Sequence, residues 1–150
     1  MIKEGANVSG SITLQGRSLV DSQTNISLIN VETNQSYIIS DLSTEGKFFI
    51  ELPLGSYKLV AKRKQYLTKT LKIELNKKDE RQEVAIELRA GDLNNDNHID
   101  ITDLTILSLA YRSKPGDEHW NPLADLNSDG VIDFLDLTVL TQNLGLHGDR

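Results

Sequence analysis

Up to about residue 90, short runs of the chain alternate apolar and polar positions, the period-2 pattern of strands with one buried face. Seven such runs can be read: "VSGSITL", "SLINVE", "SYIISDL", "KFFIEL", "SYKLVAKR", "LTKTLKIEL" and "EVAIEL". Asn- and Gly-containing segments, "TNQS", "STEGK" and "LPLGS", break the pattern as turns do. Short strands at this spacing predict a β-sandwich over residues 1–90. Phe49, Leu52, Tyr57 and Leu59 are expected to alternate into its core.

Beyond residue 90 the apolar spacing becomes helical in two places, "TDLTILSLAYRS" and "LDLTVLTQNLG". Leu104, Leu107 and Tyr111 fall at i, i+3 and i+7 in the first, and Leu137, Leu140 and Leu144 do so in the second. These six are expected to pack together. Each predicted helix follows an acidic, turn-prone dodecapeptide: "DLNNDNHIDITD" at 92–103 and "DLNSDGVIDFLD" at 125–136, an offset of 33 residues. The chain thus divides into residues 1–90 and 91–150, the second part expected to be an all-α domain of two loop-helix units.

The dodecapeptides space oxygen donors as a hard cation requires, at positions 1, 3, 5, 7 and 12. In the first loop these are Asp92, Asn94, Asp96, the carbonyl of His98, and Asp103. In the second they are Asp125, Asn127, Asp129, the carbonyl of Val131, and Asp136. Asp100 and Asp133, at position 9, are expected to hold the ion through water. All-oxygen sets point to calcium, hence two Ca2+. Position 6 must turn with positive φ, which Gly130 does freely and Asn97 tolerates. Ile99 and Ile132, at position 8, are expected to pair the loops through a short β-contact. The alternative is an acidic, turn-rich surface with no metal, or calcium loops of the thrombospondin kind, and the recurrence of the loop with a matching helix weighs against the metal-free one.

Charge sharpens the division. Residues 91–150 carry eleven acidic and three basic side chains, whereas residues 1–90 carry eleven and thirteen. The acidic part would repel phosphates, which argues against nucleic acid as its partner. With no cysteine, disulfides and thiolate metal sites are excluded. No apolar run is long enough to span a membrane, and "MIKEGANVSGSITL" lacks the apolar core of a secretion signal.

Position 12 is Asp rather than Glu, and neither "ELRAG" nor "NPLA" supplies an entering helix, so these are not ordinary EF-hands. The doubled loop-plus-exiting-helix unit over about 91–145 resembles dockerin domains, the calcium-binding partners of cohesins in cellulosomes. Upstream, "TEGKFFIELPLGSYKLVAKRKQYL" resembles carboxypeptidase-regulatory-like and Cna protein B-type Ig-like sandwiches. The Lys–Asn isopeptide bond of some such sandwiches is not expected, since "VSGSITL" has no Lys and "EVAIELR" no Asn. A sandwich joined to a dockerin through "IELRAGDLNNDN", without a flexible spacer, resembles the X-module–dockerin dyad of cellulosomal scaffoldins, the type II class.

The resemblance implies a non-catalytic, calcium-dependent module that binds a type II-like cohesin of an anchoring or adaptor scaffoldin, secreted and extracellular at the cell surface, where it assembles or anchors a cellulosome for polysaccharide and cellulose degradation. It also implies that the sandwich stabilises the dockerin. The partner face expected from helical spacing comprises Ile101, Thr102, Thr105, Ser108, Leu109 and Arg112, with Phe134, Leu135, Thr138, Thr141, Gln142 and Leu146. The two sets differ, so a single binding orientation is expected. One alternative is the dockerin tail of a secreted glycoside hydrolase, binding a type I-like cohesin; another is an intracellular calcium sensor or buffer. Catalysis is not expected, because the paired carboxylates sit at ligand spacing and the first part has neither His nor Cys.

Overall fold

The computed structural model describes residues 5–149. All seven expected strands form, as β1 (Gly5–Leu14), β2 (Asn25–Asn30), β3 (Ser36–Ile38), β4 (Lys47–Pro53), β5 (Gly55–Lys62), β7 (Lys69–Leu75) and β8 (Arg81–Leu88). Two further short strands, β6 (Gln65–Tyr66) and β9 (Ala90–Asp92), pair with each other. One sheet runs β4-β1-β8, with β1 parallel to β8 and antiparallel to β4; the other runs β3-β2-β5-β7, all antiparallel.

Alternation places Val8, Ile12 and Leu14 of β1, Phe48 and Leu52 of β4, and Ile86 and Leu88 of β8 inside. From the other sheet Ile26, Leu28, Tyr57, Leu59, Ile73 and Leu75 join the same buried cluster. Phe49 corrects the expected core: it is 48% exposed while Phe48 is buried. Phe49 and Leu52 are three positions apart along β4, an odd offset, so the two side chains leave opposite faces of the strand. Tyr57 is buried with its hydroxyl donating to the Pro53 carbonyl at 2.7 Å, so the Leu-Pro-x-Gly-x-Tyr segment closes on itself.

The expected all-α C-terminal domain is not what forms, and the chain as a whole is mostly β. Past residue 90 lie β9, a 3-10 turn (Pro122–Ala124) and two nine-residue helices, α1 (Ile101–Leu109) and α2 (Phe134–Gln142). The loops themselves are irregular, with left-handed backbone at Asn95, Asn97, Ser128 and Gly130. The helices stop early because the residues after them, Arg112 and Gly145, turn left-handed and hydrogen-bond to loop backbone instead of continuing the helix. Tyr111 and Leu144 therefore fall beyond the helices. Leu107 and Leu140 are fully buried, Leu104, Leu137 and Tyr111 are half-buried, and Leu144 is 40% exposed.

The buried side chains of both parts belong to one contiguous cluster. Their junction is polar and specific. Gln15 Oε1 accepts from the Ala90 amide at 3.1 Å and from Asn143 Nδ2 at 2.7 Å, and Asn143 Nδ2 also donates to the Ala90 carbonyl at 2.7 Å. Arg17 donates to the backbone carbonyls of Leu126 and Asp125 at 3.1 and 3.4 Å. Gln65 Nε2 donates to the carbonyls of Leu123 and Pro122 at 2.6 and 3.4 Å.

Candidate metal centre

Two acidic clusters, Asp92–Asp96–Asp103 and Asp125–Asp129–Asp136, each bring three carboxylate oxygens within 4.8 Å of one another. In each, the first and last carboxylates are buried and the middle one is exposed. The local cause is a shared backbone cradle. Asp103 Oδ1 accepts the amides of Leu93 and Asn94 at 2.8 and 3.2 Å, and its Oδ2 accepts that of Asp100 at 2.9 Å. Asp136 repeats this with Leu126, Asn127 and Asp133 at 2.8, 3.2 and 3.0 Å.

Position 1 is equally alike in the two loops. Asp92 accepts the amides of Asp96 and Asn97 at 3.0 and 2.8 Å, and Asp125 those of Asp129 and Gly130 at 3.3 and 3.0 Å. Backbone N–H groups thus pull the carboxylates inward and hold their geometry. Asp at position 12 is held in the cluster because it sits in the first turn of a helix whose N-cap, Asp100 or Asp133, closes a reciprocal capping box with it. Asp100 and Asp133, expected at the ion through water, serve here as helix N-caps and lie outside the three-carboxylate clusters.

Burial pushes Asp92 up to about 6, opposed by the backbone N–H groups of Asn97 and Asp96 and reinforced by the neighbouring carboxylates of Asp103 and Asp96. Burial also raises Asp103, Asp125 and Asp136 above the ordinary aspartate range. Converging, partly desolvated carboxylates are a charge that a hard cation would neutralise, and every side-chain donor in the expected sets is oxygen. The clusters therefore fit a divalent ion of calcium's type. Asn94 and Asn127 lie at the exposed rim, each donating from Nδ2 to Asp96 or Asp129, at 3.3 and 3.1 Å. His98 and Val131 are exposed beside the clusters.

The expected direct pairing of Ile99 with Ile132 is replaced by an exchange. Ile99 pairs with the segment after α2, through Leu146 and Gly145, and Ile132 pairs with the segment after α1, through Arg112 and Ser113. Both isoleucines are buried.

Outward from the clusters, α1 exposes Ile101 (69%) and Leu109 (73%) with Thr102, Thr105 and Ser108, and Arg112 follows it. From α2, Phe134 (66%) and Leu135 (57%) are exposed with Thr141 and Gln142; Thr138 is half-buried, and Leu146 beyond the helix is exposed. Gln15, Arg17, Gln65 and Asn143, which seat the loops on the sandwich, were not among the expected site residues. Each acts across about fifty or more sequence positions, and neither periodicity nor spacing reports such contacts.

Residues 90–145 match the family model described as the dockerin type I domain. Two solved structures, a C-terminal and an N-terminal interface mutant of a type II cohesin–X-dockerin complex from Acetivibrio cellulolyticus, each contain a chain of similar fold. Their identities to this chain are 22% and 21%, with TM-scores of 0.72 and 0.74, and in each case 96% of this chain and 98% of the other are covered. No curated protein sequence is detectably similar. The family model bears out the resemblance over the doubled loops, and the two solved structures bear it out as a fold over the sandwich and the loops together. Among the described residues no helix is long and apolar enough to cross a membrane.

Proposed function

We propose that this chain is a non-catalytic docking module that binds a cohesin, of type II-like kind, when its two loops are loaded with calcium. The observation that carries the reading is the doubled acidic cluster, alike in its backbone hydrogen bonds, each copy opening a short helix whose outer face exposes large apolar side chains. Asp92, Asn94, Asp96, the His98 carbonyl and Asp103 would hold one ion, and Asp125, Asn127, Asp129, the Val131 carbonyl and Asp136 the other, with Asp100 and Asp133 at the ninth positions. Bound calcium would supply the positive charge that lets these carboxylates stay ionised together.

In this reading residues 1–90 act as the X module and residues 91–150 as the dockerin part. The partner face comprises the exposed residues of α1 and α2 with Arg112 and Leu146. Ile101 and Thr102 become Phe134 and Leu135 in the second copy, and Ser108 and Leu109 become Thr141 and Gln142, so the face fits its partner in one orientation. The module works outside the cell, joining a secreted polysaccharide-degrading assembly to an anchoring or adaptor protein.

A second reading has a specific observation in its favour, since the matching family model is that of the type I domain. The chain would then be the tail of a secreted glycoside hydrolase, bound by a type I-like cohesin. Calorimetric titration with one cohesin of each type, in calcium and in excess chelator, separates them. Tight, chelator-sensitive binding to the type II cohesin alone is expected; binding to the type I cohesin transfers the chain to the enzyme tail, and binding to neither overturns the docking function.

A further inference from the structure

Asn97 occupies the sixth position of the first loop, where the second loop has Gly130, and both are left-handed, with φ of 67° and 87°. Glycine would serve this turn without strain in either place, so the turn gives no reason for asparagine. The surroundings do. A Cβ on Gly130 would meet nothing within 4 Å, whereas the Asn97 side chain is engaged at both ends. Its Oδ1 accepts the Thr68 amide at 2.8 Å, and its Nδ2 donates to the Asp149 carbonyl at 3.0 Å.

The Asn97 backbone is engaged as well. Its amide donates to Asp92 Oδ2 at 2.8 Å, and its carbonyl accepts the Gly148 amide at 2.9 Å. Asp149 continues the chain of bonds: its carboxylate accepts the Thr70 amide at 2.9 Å and hydroxyl at 3.3 Å, and its own amide donates to the Thr68 carbonyl at 2.9 Å. Gly148 permits the close approach, since a Cβ there would collide with Asn97 Oδ1 and stand 2.7 Å from the Thr68 nitrogen.

We infer that Asn97 is a positioning residue that latches the first loop, and only the first, to the sandwich through Thr68 and residues 148–149. One unbroken run of hydrogen bonds leads from the Asp92 carboxylate through Asn97 to the start of β7. The shape this loop takes around a cation and the seating of residues 148–149 on the sandwich therefore change together. Gly130 has no side chain with which to make such a link, so the two loops are inequivalent toward the cation. The inference rests on the calcium reading proposed above.

The test is calcium calorimetry on the full chain together with amide hydrogen exchange, read with and without chelator. In the unmodified chain the Thr68 amide is expected to be protected in calcium and to lose that protection on chelation. Asn97→Gly and, separately, Gly148→Ala leave every carboxylate in place. Each is expected to weaken one of two calcium sites about tenfold, the effect of losing two net hydrogen bonds, and to speed Thr68 exchange by about the same factor. Gly130→Asn is expected to leave Thr68 exchange unchanged. Slow exchange at Leu59 in each variant shows that the sandwich is still folded. If Asn97→Gly binds both ions as tightly as the unmodified chain, or Thr68 exchange does not respond to it, the latch is overturned and the calcium reading stands. A chain that takes up no calcium overturns both.

Discussion

The amide of Ile99 donates to the carbonyl of Leu146 at 2.9 Å, which fastens the first acidic loop to the segment leaving the second helix. Ile132 reciprocates, donating to the Ser113 carbonyl at 3.0 Å, so each loop is completed by chain that follows the other's helix. Neither loop-helix unit is structurally self-sufficient. Asp136→Ala would strip the amides of Leu126, Asn127 and Asp133 of their acceptor in a buried place. A loss of roughly 3 kcal/mol or more is expected in urea unfolding. Amide exchange at Ile99, in the other loop, should accelerate too; an unchanged Ile99 would mean that the loops are independent.

The pH response of the chelated protein has a definite sign. The Asp92 carboxyl lies at about 6 in the folded chain, against about 3.9 for an unperturbed aspartate, so between these values the folded state binds more protons than the unfolded one. The stability contribution of this group is present in full below that window and is lost as pH rises through about 6. Chelation at pH 7 is expected to abolish much of the helical circular-dichroism signal, and lowering the pH to 5 with chelator present should restore part of it. Calcium affinity should move the opposite way and be weaker at pH 5. A chelated signal identical at both pH values would count against a protonated Asp92.

Gln65 is the residue most exposed to a test of the junction. It is buried in a left-handed conformation, φ 77°, with Nε2 on two carbonyls and Oε1 receiving donors from Arg17 and Arg63 at 3.2 and 2.7 Å. Gln65→Ala would leave all four partners short of a bond, and a loss of roughly 2 kcal/mol is expected. The measurement is thermal or urea unfolding in calcium, followed at both the sandwich and the helices. Separate transitions in the variant, from a single one in the unmodified chain, would mark Gln65 as what couples them; an unshifted midpoint would show that the junction is held elsewhere.

Phe134 and Leu109 separate recognition from stability. Both are largely exposed, at 66% and 73%, so Phe134→Ala and Leu109→Ser should change folding stability by no more than about 0.5 kcal/mol. If these faces meet the cohesin, at least one change should weaken its binding by about tenfold or more. Cohesin affinity unaltered in both variants would move the contact off the outer helix faces.

How much of this was legible in the sequence depended on the range of the interaction. Spacing within twelve residues sufficed to place Asp92, Asp96 and Asp103 together, and their counterparts, because the hydrogen bonds that shape each acidic loop join residues no more than ten positions apart. Alternation found seven strands but not β6 or β9, since Gln65-Tyr66 is too short to show any period and Ala90-Gly91-Asp92 is buried throughout, with no alternation to read. It also failed between Phe48 and Phe49, adjacent and chemically identical, where only register with β1 decides: Phe48 faces Gly10 across the ladder and turns inward. The all-α expectation failed because two nine-residue helices were extrapolated to a whole domain. The connecting loops are fixed by backbone bonds to distant chain, such as Ile99 to Leu146, that no local pattern encodes.

The parallel pairing of β1 with β8 also orders events in time. Asn7 pairs with Arg81 and Leu14 with Leu88, so the three-stranded sheet cannot close until the chain has been synthesised nearly to residue 90. β9 and the first acidic loop are the next residues to be made. The loops therefore follow directly on the strand that completes the sheet, and the platform that receives them, Gln15, Arg17 and Gln65, lies wholly in chain that precedes that strand.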